Sequence, residues 1–279
     1  MASGALRPTD ARACALAFAV AVAVATSVPA LGCRGSAARS RPERRVTPVA
    51  TWGGLIVRTA GERKHPRQVV VLLHGWGAPG ADLVPLAGEL SAPGRLFVFP
   101  EAPLASPGGG RAWWPLDMAA LEEARLGGRD RDLRRHIPEG MAEARARVLA
   151  LLDEAERQTS LPRSAFVLGG FSQGAMLALD ASLASRPRPG AIVVMSGTLV
   201  SEAEWTAELA NMKPLVPMFM SHGRADPVLP FRLGLALRDL ASAAGHPVTW
   251  VPFDGGHGIP PSVMTALAGF LDRARPQVD

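Results

Sequence analysis

A serine at position 172 lies between two glycines, in the segment Gly170-Phe171-Ser172-Gln173-Gly174. An apolar stretch precedes this segment and a helix-like stretch follows it. The Gly-x-Ser-x-Gly spacing is typical of a nucleophile elbow, a strand-to-helix turn so tight that the flanking positions admit no bulky side chain. The spacing alone also recurs by chance, and an ordinary glycine turn is the alternative. In the elbow interpretation, Ser172 is predicted to be the nucleophile of an acyl-transfer reaction.

A serine nucleophile needs an imidazole that takes its proton, and His257 has the position expected for this base. It lies in a glycine-rich loop that follows the last apolar run and precedes a helix that Pro260 or Pro261 can open. His74 and His222 also end strand-like runs. Each is followed by glycine at a tight turn, where hydrogen bonding to the loop backbone is the expected role. Solvated positions are expected for the other three histidines, which are His65, His136 and His246.

A carboxylate must orient the imidazole, and Asp226 is the predicted acid. It follows the penultimate strand-like run, so the chain order is Ser172, Asp226, His257. This order of nucleophile, acid and base is the one used by α/β hydrolases. Asp254 is the alternative, although a residue three positions before His257 has difficulty reaching the far side of the same ring. Asp180 falls on the predicted nucleophile helix, where a polar surface position is expected.

A tetrahedral oxyanion requires two preorganised hydrogen-bond donors. The backbone N–H of Gln173, directly after the nucleophile, is predicted to be the first. The second is expected in the loop after an early strand, and the segment Leu73-His74-Gly75-Trp76-Gly77 supplies such a loop. The Trp76 N–H is the predicted donor there, and a glycine-rich turn without a catalytic role is the alternative.

Short apolar runs of the kind buried on both faces of a parallel sheet alternate with helical patterns along the chain. The predicted strands cover 69–73, 96–99, 165–168, 191–195, 215–220 and 248–251. The predicted helices cover 141–152, 175–184, 233–240 and 263–271. Pro217 indicates an edge position for the strand at 215–220. The alternation predicts an α/β fold, with helices on both faces of a mostly parallel sheet and functional loops at the carboxyl ends of the strands.

Six segments from about Trp52 onward carry a resemblance to a known family. They are Leu73-His74-Gly75-Trp76-Gly77, Pro100-Glu101-Ala102-Pro103, Trp113-Trp114-Pro115-Leu116-Asp117, Gly169-Gly170-Phe171-Ser172-Gln173-Gly174-Ala175, His222-Gly223-Arg224-Ala225-Asp226-Pro227 and Gly256-His257. In these segments the chain resembles the phospholipase/carboxylesterase group of α/β hydrolases, which also contains acyl-protein thioesterases. The resemblance implies an α/β-hydrolase fold and hydrolysis of carboxylic esters, lysophospholipids or acyl thioesters without a metal or organic cofactor. It also implies a triad and oxyanion donors at Ser172, Asp226, His257, Trp76 and Gln173.

Two classes of function are compatible with these motifs. The first is an active serine esterase that acts on a small-molecule or lipid ester, and the second is a binding or scaffold protein that keeps the hydrolase fold without turnover. The filling of all three triad roles in the right order favours the esterase. Among enzymes, a feruloyl or acetyl esterase and a peptidase are the alternatives to a carboxylesterase or lysophospholipase.

The segment 105–138 is the least regular part of the catalytic region. It follows a predicted strand and precedes a predicted helix, so it is expected to overhang the active site as a short cap. Trp113 and Trp114 in this segment are candidates for the wall of an acyl-binding site. Packing between cap and core is an equally weighted alternative for each tryptophan.

The first 33 residues predict a signal segment, with two early arginines followed by an apolar run over 13–28. This run is too short and alanine-rich for a permanent membrane span, which needs about 20 strongly apolar residues. A small residue before Cys33 resembles the bacterial lipobox, although Ala30 stands where leucine is usual. Lipidation of Cys33 and anchoring in the cell envelope are therefore expected. The alternative is a conventional signal peptide and a periplasmic or secreted protein.

The positive charge is concentrated before the predicted catalytic domain, which covers 52–279. Seven of the 30 basic residues and two of the 25 acidic ones lie in residues 1–51, which leaves 23 of each sign for the domain. Nucleic-acid binding by the domain is therefore not expected. Residues 34–51 form the predicted basic flexible linker. Both cysteines, Cys14 and Cys33, precede the domain, which excludes a disulfide and a thiolate metal site within it.

Overall fold

The computed structural model describes residues 49–116 and 132–275, which form ten β-strands and six α-helices. The strands are β1 (Ala50–Trp52), β2 (Leu55–Gly61), β3 (Gln68–Leu73), β4 (Arg95–Pro100), β5 (Leu104–Ala105), β6 (Arg111–Ala112), β7 (Phe166–Phe171), β8 (Ala191–Met195), β9 (Met218–Gly223) and β10 (Val248–Phe253). The helices are α1 (Leu86–Glu89), α2 (Met141–Thr159), α3 (Gln173–Ala184), α4 (Glu202–Asn211), α5 (Phe231–Ala243) and α6 (Pro261–Arg273). The predicted signal segment with Cys33, most of the predicted linker and Asp117 lie outside the described residues.

Eight of the strands form one sheet in the order β1-β2-β4-β3-β7-β8-β9-β10. Every pairing from β4 to β10 is parallel, whereas β2 is antiparallel to both of its neighbours. The short strands β5 and β6 form a separate antiparallel hairpin. A parallel sheet collects the loops that follow its strands at one edge, which is where ligands bind in α/β proteins.

Strand β3 shows why the sheet is covered on both faces. Val69, Val71 and Leu73 belong to one hydrophobic cluster, and Val70 and Leu72 belong to the other. Successive side chains of a strand point to opposite faces, so a run that is apolar at every position must be buried on both. The first cluster includes side chains of α2 to α5, and the second includes side chains of α1 and α6.

The predicted α/β fold is confirmed, and so are the predicted parallel strands, with two differences in detail. The strand predicted over 215–220 begins only at Met218 and pairs with both β8 and β10. Its predicted edge position is therefore wrong. Pro217 has no N–H to donate to the ladder, but it precedes the paired residues, so a central strand tolerates it. The first strand, Ala50–Trp52, begins within the range assigned to the flexible linker.

Helix α6 begins at Pro261, as the two prolines after His257 predicted. Pro260 is extended, with φ −74° and ψ 164°, and Pro261 is the first helical residue. Proline suits this position because its fixed φ fits the helix and the first turn needs no N–H donor. In the ranges 49–116 and 132–275, no helix has the length and apolar character needed to cross a bilayer.

Candidate active site

Ser172 occupies the turn between β7 and α3, with φ 54° and ψ −118°. Positive φ is unusual for a residue with a side chain and marks a locally strained backbone. A Cβ on Gly170 would lie 2.6 Å from the Gly174 carbonyl oxygen, and a Cβ on Gly174 would overlap the Leu73 carbonyl oxygen. Because the chain passes so closely at both glycines, the geometry is that of a nucleophile elbow.

An acid–base pair lies at the ends of the last two strands. Asp226 follows β9, and its Oδ2 is 2.6 Å from Nδ1 of His257, which follows β10. A carboxylate oxygen only accepts, so His257 carries its proton on Nδ1 and leaves Nε2 able to take a proton. Oδ1 of Asp226 accepts the N–H groups of Val228 and Leu229 at 2.8 and 2.9 Å. Both carboxylate oxygens are therefore held.

The Asp226 carboxylate is fully buried and nevertheless favours its charged form. Burial on its own raises the pKa of Asp226, because it penalises the charge. The hydrogen bonds from His222 and His257, together with the Leu229 N–H, outweigh this penalty and hold the pKa well below its usual range. Asp226 is thus ionised at neutral pH, as a residue that stabilises an imidazolium must be.

The loop that carries His257 packs directly against the elbow. The centroid of the His257 ring lies 4.7 Å from the ring centroid of Phe171, the residue before the predicted nucleophile. Backbone pairing ties the same region together, because Ser172 N donates to Met195 O at 2.9 Å and Ser196 N donates to Ser221 O at 2.8 Å. The structure therefore brings the three predicted triad residues to one end of the sheet.

The two other aspartates considered for the site have different surroundings. The Asp254 side chain is 95% exposed and faces Arg224 at 3.4 Å, so it does not orient His257. Asp180 is buried, which makes the predicted surface position wrong. It accepts the Trp205 indole N–H at 3.0 Å and pairs with Arg145 at 3.2 Å. Helices α2 and α4 supply these donors, which is how a carboxylate on the nucleophile helix is accommodated in the core.

His74 and His222 bond to loop backbone, as predicted. The N–H of Ala102 donates to His74 Nε2 at 3.1 Å, so the ring proton is on Nδ1, which donates to Gly75 O at 2.8 Å. Burial lowers the pKa of His74, and the bond to Gly75 O opposes this. His222 Nε2 donates to Leu229 O at 2.8 Å.

Of the three histidines predicted to be solvated, two are exposed and one is not. His65 and His136 are exposed. His246 is 4% exposed, and its ring nitrogens lie within 3.2 Å of backbone atoms of Val216 and Leu209. A solvated position was expected because the residue precedes proline in a loop. The ring instead fills the space between that loop and two distant segments.

The two predicted oxyanion donors have free N–H groups beside the nucleophile. Among the described residues, neither Trp76 N nor Gln173 N donates to a protein acceptor. A Cβ on Gly75 would lie 3.4 Å from Cβ of Ser172, so the Trp76 loop runs against the elbow. In residues 49–116 and 132–275, no three His, Cys, Asp or Glu side chains could together hold a metal ion. The two free backbone N–H groups are donors of the kind that stabilise an oxyanion.

Trp113 and Trp114 hold this loop in place and have little surface for a substrate. Each is 1% exposed within the core, so the predicted acyl wall is not supported and the packing alternative is favoured. The Gln173 side chain accepts the Trp113 N–H and donates to Trp114 O, each at 2.9 Å. The Trp113 indole N–H donates to His74 O at 2.9 Å. These bonds join the segments that carry the two predicted oxyanion donors. Sequence reasoning missed this role of the Gln173 amide, because only a partner distant in the chain reveals it.

The Gln173 bridge leads to a testable expectation. Gln173→Met keeps the backbone N–H but leaves Trp113 N–H and Trp114 O unpaired in the core, at about 1–3 kcal/mol per group. We expect kcat for a soluble ester to fall about 10- to 100-fold, less than the roughly 10²–10³ lost with a whole oxyanion donor. Michaelis kinetics measure the change. Gln158→Met, at an exposed position on α2, is the control, and equal kcat for both variants would contradict the bridging role.

Comparisons with known proteins agree with this geometry. The Phospholipase/Carboxylesterase family model matches residues 56–274. Acyl-protein thioesterase 1 of Neurospora crassa is 29% identical over 219 residues, covering 75% of this chain and 87% of the relative. Acyl-protein thioesterase 1 of Yarrowia lipolytica is 32% identical over 180 residues, covering 61% and 74%. The crystal structure of esterase PE8 has a TM-score of 0.66 at 28% identity and covers 83% of this chain and 99% of that one.

The match to the family model spans most of the chain and includes the elbow, the acid–base pair and the Trp76 loop. The fold and the relatives agree with it. The chain therefore belongs to the phospholipase/carboxylesterase family of α/β hydrolases and is a serine ester hydrolase.

Proposed function

We propose that this enzyme is a carboxylesterase or lysophospholipase-type hydrolase that forms an acyl-enzyme on Ser172. The observation that carries the proposal is the 2.6 Å bond from His257 Nδ1 to the buried Asp226 carboxylate beside a strained Ser172. A serine in an ordinary glycine turn has no need of such a pair. The free N–H groups of Trp76 and Gln173 add the donors that an oxyanion requires.

In the proposed reaction, His257 Nε2 takes the Ser172 hydroxyl proton as Oγ attacks the carbonyl carbon of the ester. The carbonyl oxygen becomes an oxyanion and binds the N–H groups of Trp76 and Gln173. The C–O bond to the alcohol then breaks, and the alcohol leaves with the proton held by His257. Water then attacks the acyl-enzyme carbonyl while His257 takes a proton from it. The bond to Ser172 Oγ breaks, His257 returns the proton to Oγ, and the carboxylic acid is released.

A substrate series tests the proposed ester class. Rates of p-nitrophenyl esters with acyl chains of increasing length, together with a lysophospholipid, define the acyl preference. A matched thioester tests a second candidate, thioester hydrolysis, which the names of the curated relatives suggest. Feruloyl, acetyl and peptide substrates test the remaining alternatives. Turnover confined to the peptide substrate would contradict the proposal.

The proposed location is the cell envelope, with the mature chain beginning at a lipidated Cys33. The support is the leader sequence: early arginines, an apolar run and a small residue before the cysteine. A single acyl chain binds membranes only marginally, whereas the several chains of a bacterial lipoprotein anchor stably. The predicted linker up to the start of β1 at Ala50 would then act as a tether through which the catalytic domain reaches nearby acyl esters.

Replacement of Cys33 tests this location. In a bacterium that processes lipoproteins, Cys33→Ser is expected to move active enzyme from the membrane fraction to the soluble fraction. Hydrolysis of a soluble short-chain ester is expected to remain unchanged, because Cys33 lies outside the catalytic domain. Fractionation followed by mass spectrometry of the mature N-terminus measures both. A wild-type N-terminus without lipid, or an uncleaved leader, would contradict the lipoprotein and leave the esterase unaffected.

A further inference from the structure

A second histidine touches the carboxylate of the proposed acid–base pair. His222 lies in β9 near its carboxyl end, and its side chain is 1% exposed. Its Nε2 is 3.3 Å from Asp226 Oδ2, the same oxygen that His257 Nδ1 contacts at 2.6 Å. Oδ2 therefore lies between two imidazoles.

The surroundings of His222 fix which nitrogen carries its proton. Nε2 is 2.8 Å from Leu229 O, and a carbonyl oxygen only accepts, so the proton is on Nε2. Nδ1 is buried without a hydrogen-bond partner among the described residues. On that side the ring packs on helix α5, where a Cβ on Gly234 would lie 2.5 Å from Nδ1. The ring therefore packs against α5 on its Nδ1 side, and its one N–H is directed at the loop that carries Asp226.

That loop contacts His222 through two oxygen atoms. Asp226 Oδ1 accepts the N–H groups of Val228 and Leu229, which fixes one carboxylate oxygen to the loop. The Leu229 carbonyl and Asp226 Oδ2 both face the N–H of His222. Without this N–H, Leu229 O would be a buried acceptor with no donor, and the loop could relax to satisfy it at the expense of the carboxylate orientation.

We propose that His222 is a positioning residue for the reaction, one that holds Asp226 Oδ2 and the Leu229 carbonyl so that the carboxylate is aimed at His257. This inference rests on the proposed function. His222 acts through Asp226 and touches neither the substrate nor Ser172. Its loss therefore lowers kcat and leaves KM nearly unchanged, since substrate binding does not use the carboxylate.

A pair of substitutions in the full chain separates the N–H from the bulk of the ring. His222→Gln keeps an N–H that can reach the position of Nε2, whereas His222→Met fills a similar volume without a donor. We expect kcat on a soluble p-nitrophenyl ester to fall about 10- to 100-fold in His222→Met, by analogy with the loss that follows when an outer hydrogen-bond partner of a metal ligand is removed. The glutamine variant is expected to stay close to wild type.

A double-mutant cycle shows whether the effect passes through Asp226. In an Asp226→Ala background no carboxylate remains to be positioned, so adding His222→Met is expected to lower the residual kcat no further. A purely structural role would reduce kcat by the same factor in both backgrounds, which would overturn the proposal. Wild-type kcat in His222→Met would also overturn it. Absence of turnover in the wild-type enzyme would instead overturn the proposed function.

Gly234 supplies an independent test if His222→Met does not fold. Gly234→Ala places a methyl group against Nδ1 of His222 without changing any polar group, on a helix that otherwise favours alanine over glycine. We expect kcat to fall while cooperative urea unfolding is retained. Gly269→Ala on α6 is the matched control, because its Cβ would lie 3.4 Å from the nearest atom, the end of the Arg273 side chain. Equal kcat for the two alanine variants would contradict the positioning role.

Discussion

Ser172→Ala is expected to lower kcat/KM for ester hydrolysis by roughly 10⁴- to 10⁶-fold, the range seen when a serine hydrolase loses its nucleophile. The alanine keeps the Cβ that the elbow already accommodates at φ 54°, so the fold is expected to persist. The remaining oxyanion donors and binding contacts account for the residual rate. Hydrolysis of a p-nitrophenyl ester measures the loss, and circular dichroism with urea unfolding measures the fold.

A serine on helix α3, which follows the elbow, provides the control. Ser182 is buried, and its hydroxyl bonds only to Ala178 O of its own helix among the described residues. Ser182→Ala therefore removes a buried hydroxyl without touching the elbow, and its activity is expected to match wild type. Full turnover by Ser172→Ala would contradict the assignment of the nucleophile and favour a non-catalytic role for the elbow.

Asp226→Asn is expected to lower kcat by roughly 10⁴-fold, the loss that follows when an amide replaces the acid of a serine triad. The loop predicts how the amide will lie. The N–H groups of Val228 and Leu229 need an acceptor, so the amide oxygen takes the place of Oδ1. The amide NH₂ then faces His257 Nδ1, which must become the bare nitrogen. Its proton moves to Nε2, which can no longer accept the serine proton.

Asp254→Asn is the control for this substitution, because the Asp254 side chain is 95% exposed in the loop that also carries His257. It is expected to retain wild-type kcat. Single-turnover kinetics with a p-nitrophenyl ester separate acylation from later steps, and acylation is expected to be slowed. A large loss in Asp254→Asn together with wild-type activity in Asp226→Asn would show that the acid is misassigned.

The parallel part of the fold could be predicted from the sequence because both faces of those strands are covered. The run at 191–195 coincides with β8, Ala191–Met195. An uninterrupted apolar run carries its signal locally, and so do the glycines of the elbow and the prolines that open α6. The same local signals predicted Ser172, Asp226 and His257 to follow strands, and they follow β7, β9 and β10 at one end of the sheet.

The parts that sequence reasoning missed depend on contacts between distant segments. Asp180 and His246 are polar and were expected at the surface, yet Trp205, Arg145 and backbone groups of Leu209 and Val216 satisfy them in the core. A polar side chain can be buried when it finds such partners, and the partners are not visible in local sequence.

The antiparallel edge shows the same limit for secondary structure. Strand β2 alternates buried and exposed residues at its start, and β1 has three residues, of which two are exposed. Neither forms the continuous apolar run that identified the central strands. Helix α4 was missed as well, since only Trp205 and Leu209 are buried along its ten residues.

The most direct test of the account is covalent labelling of the nucleophile. A fluorophosphonate probe reacts with a serine that an adjacent base activates, and it forms a stable phosphonyl ester in place of the acyl-enzyme. Mass spectrometry of the digested wild-type protein is predicted to show one adduct, on Ser172, that is absent from Ser172→Ala and strongly slowed in Asp226→Asn. An adduct on another residue, or ester hydrolysis by a protein that the probe does not label, would contradict the account.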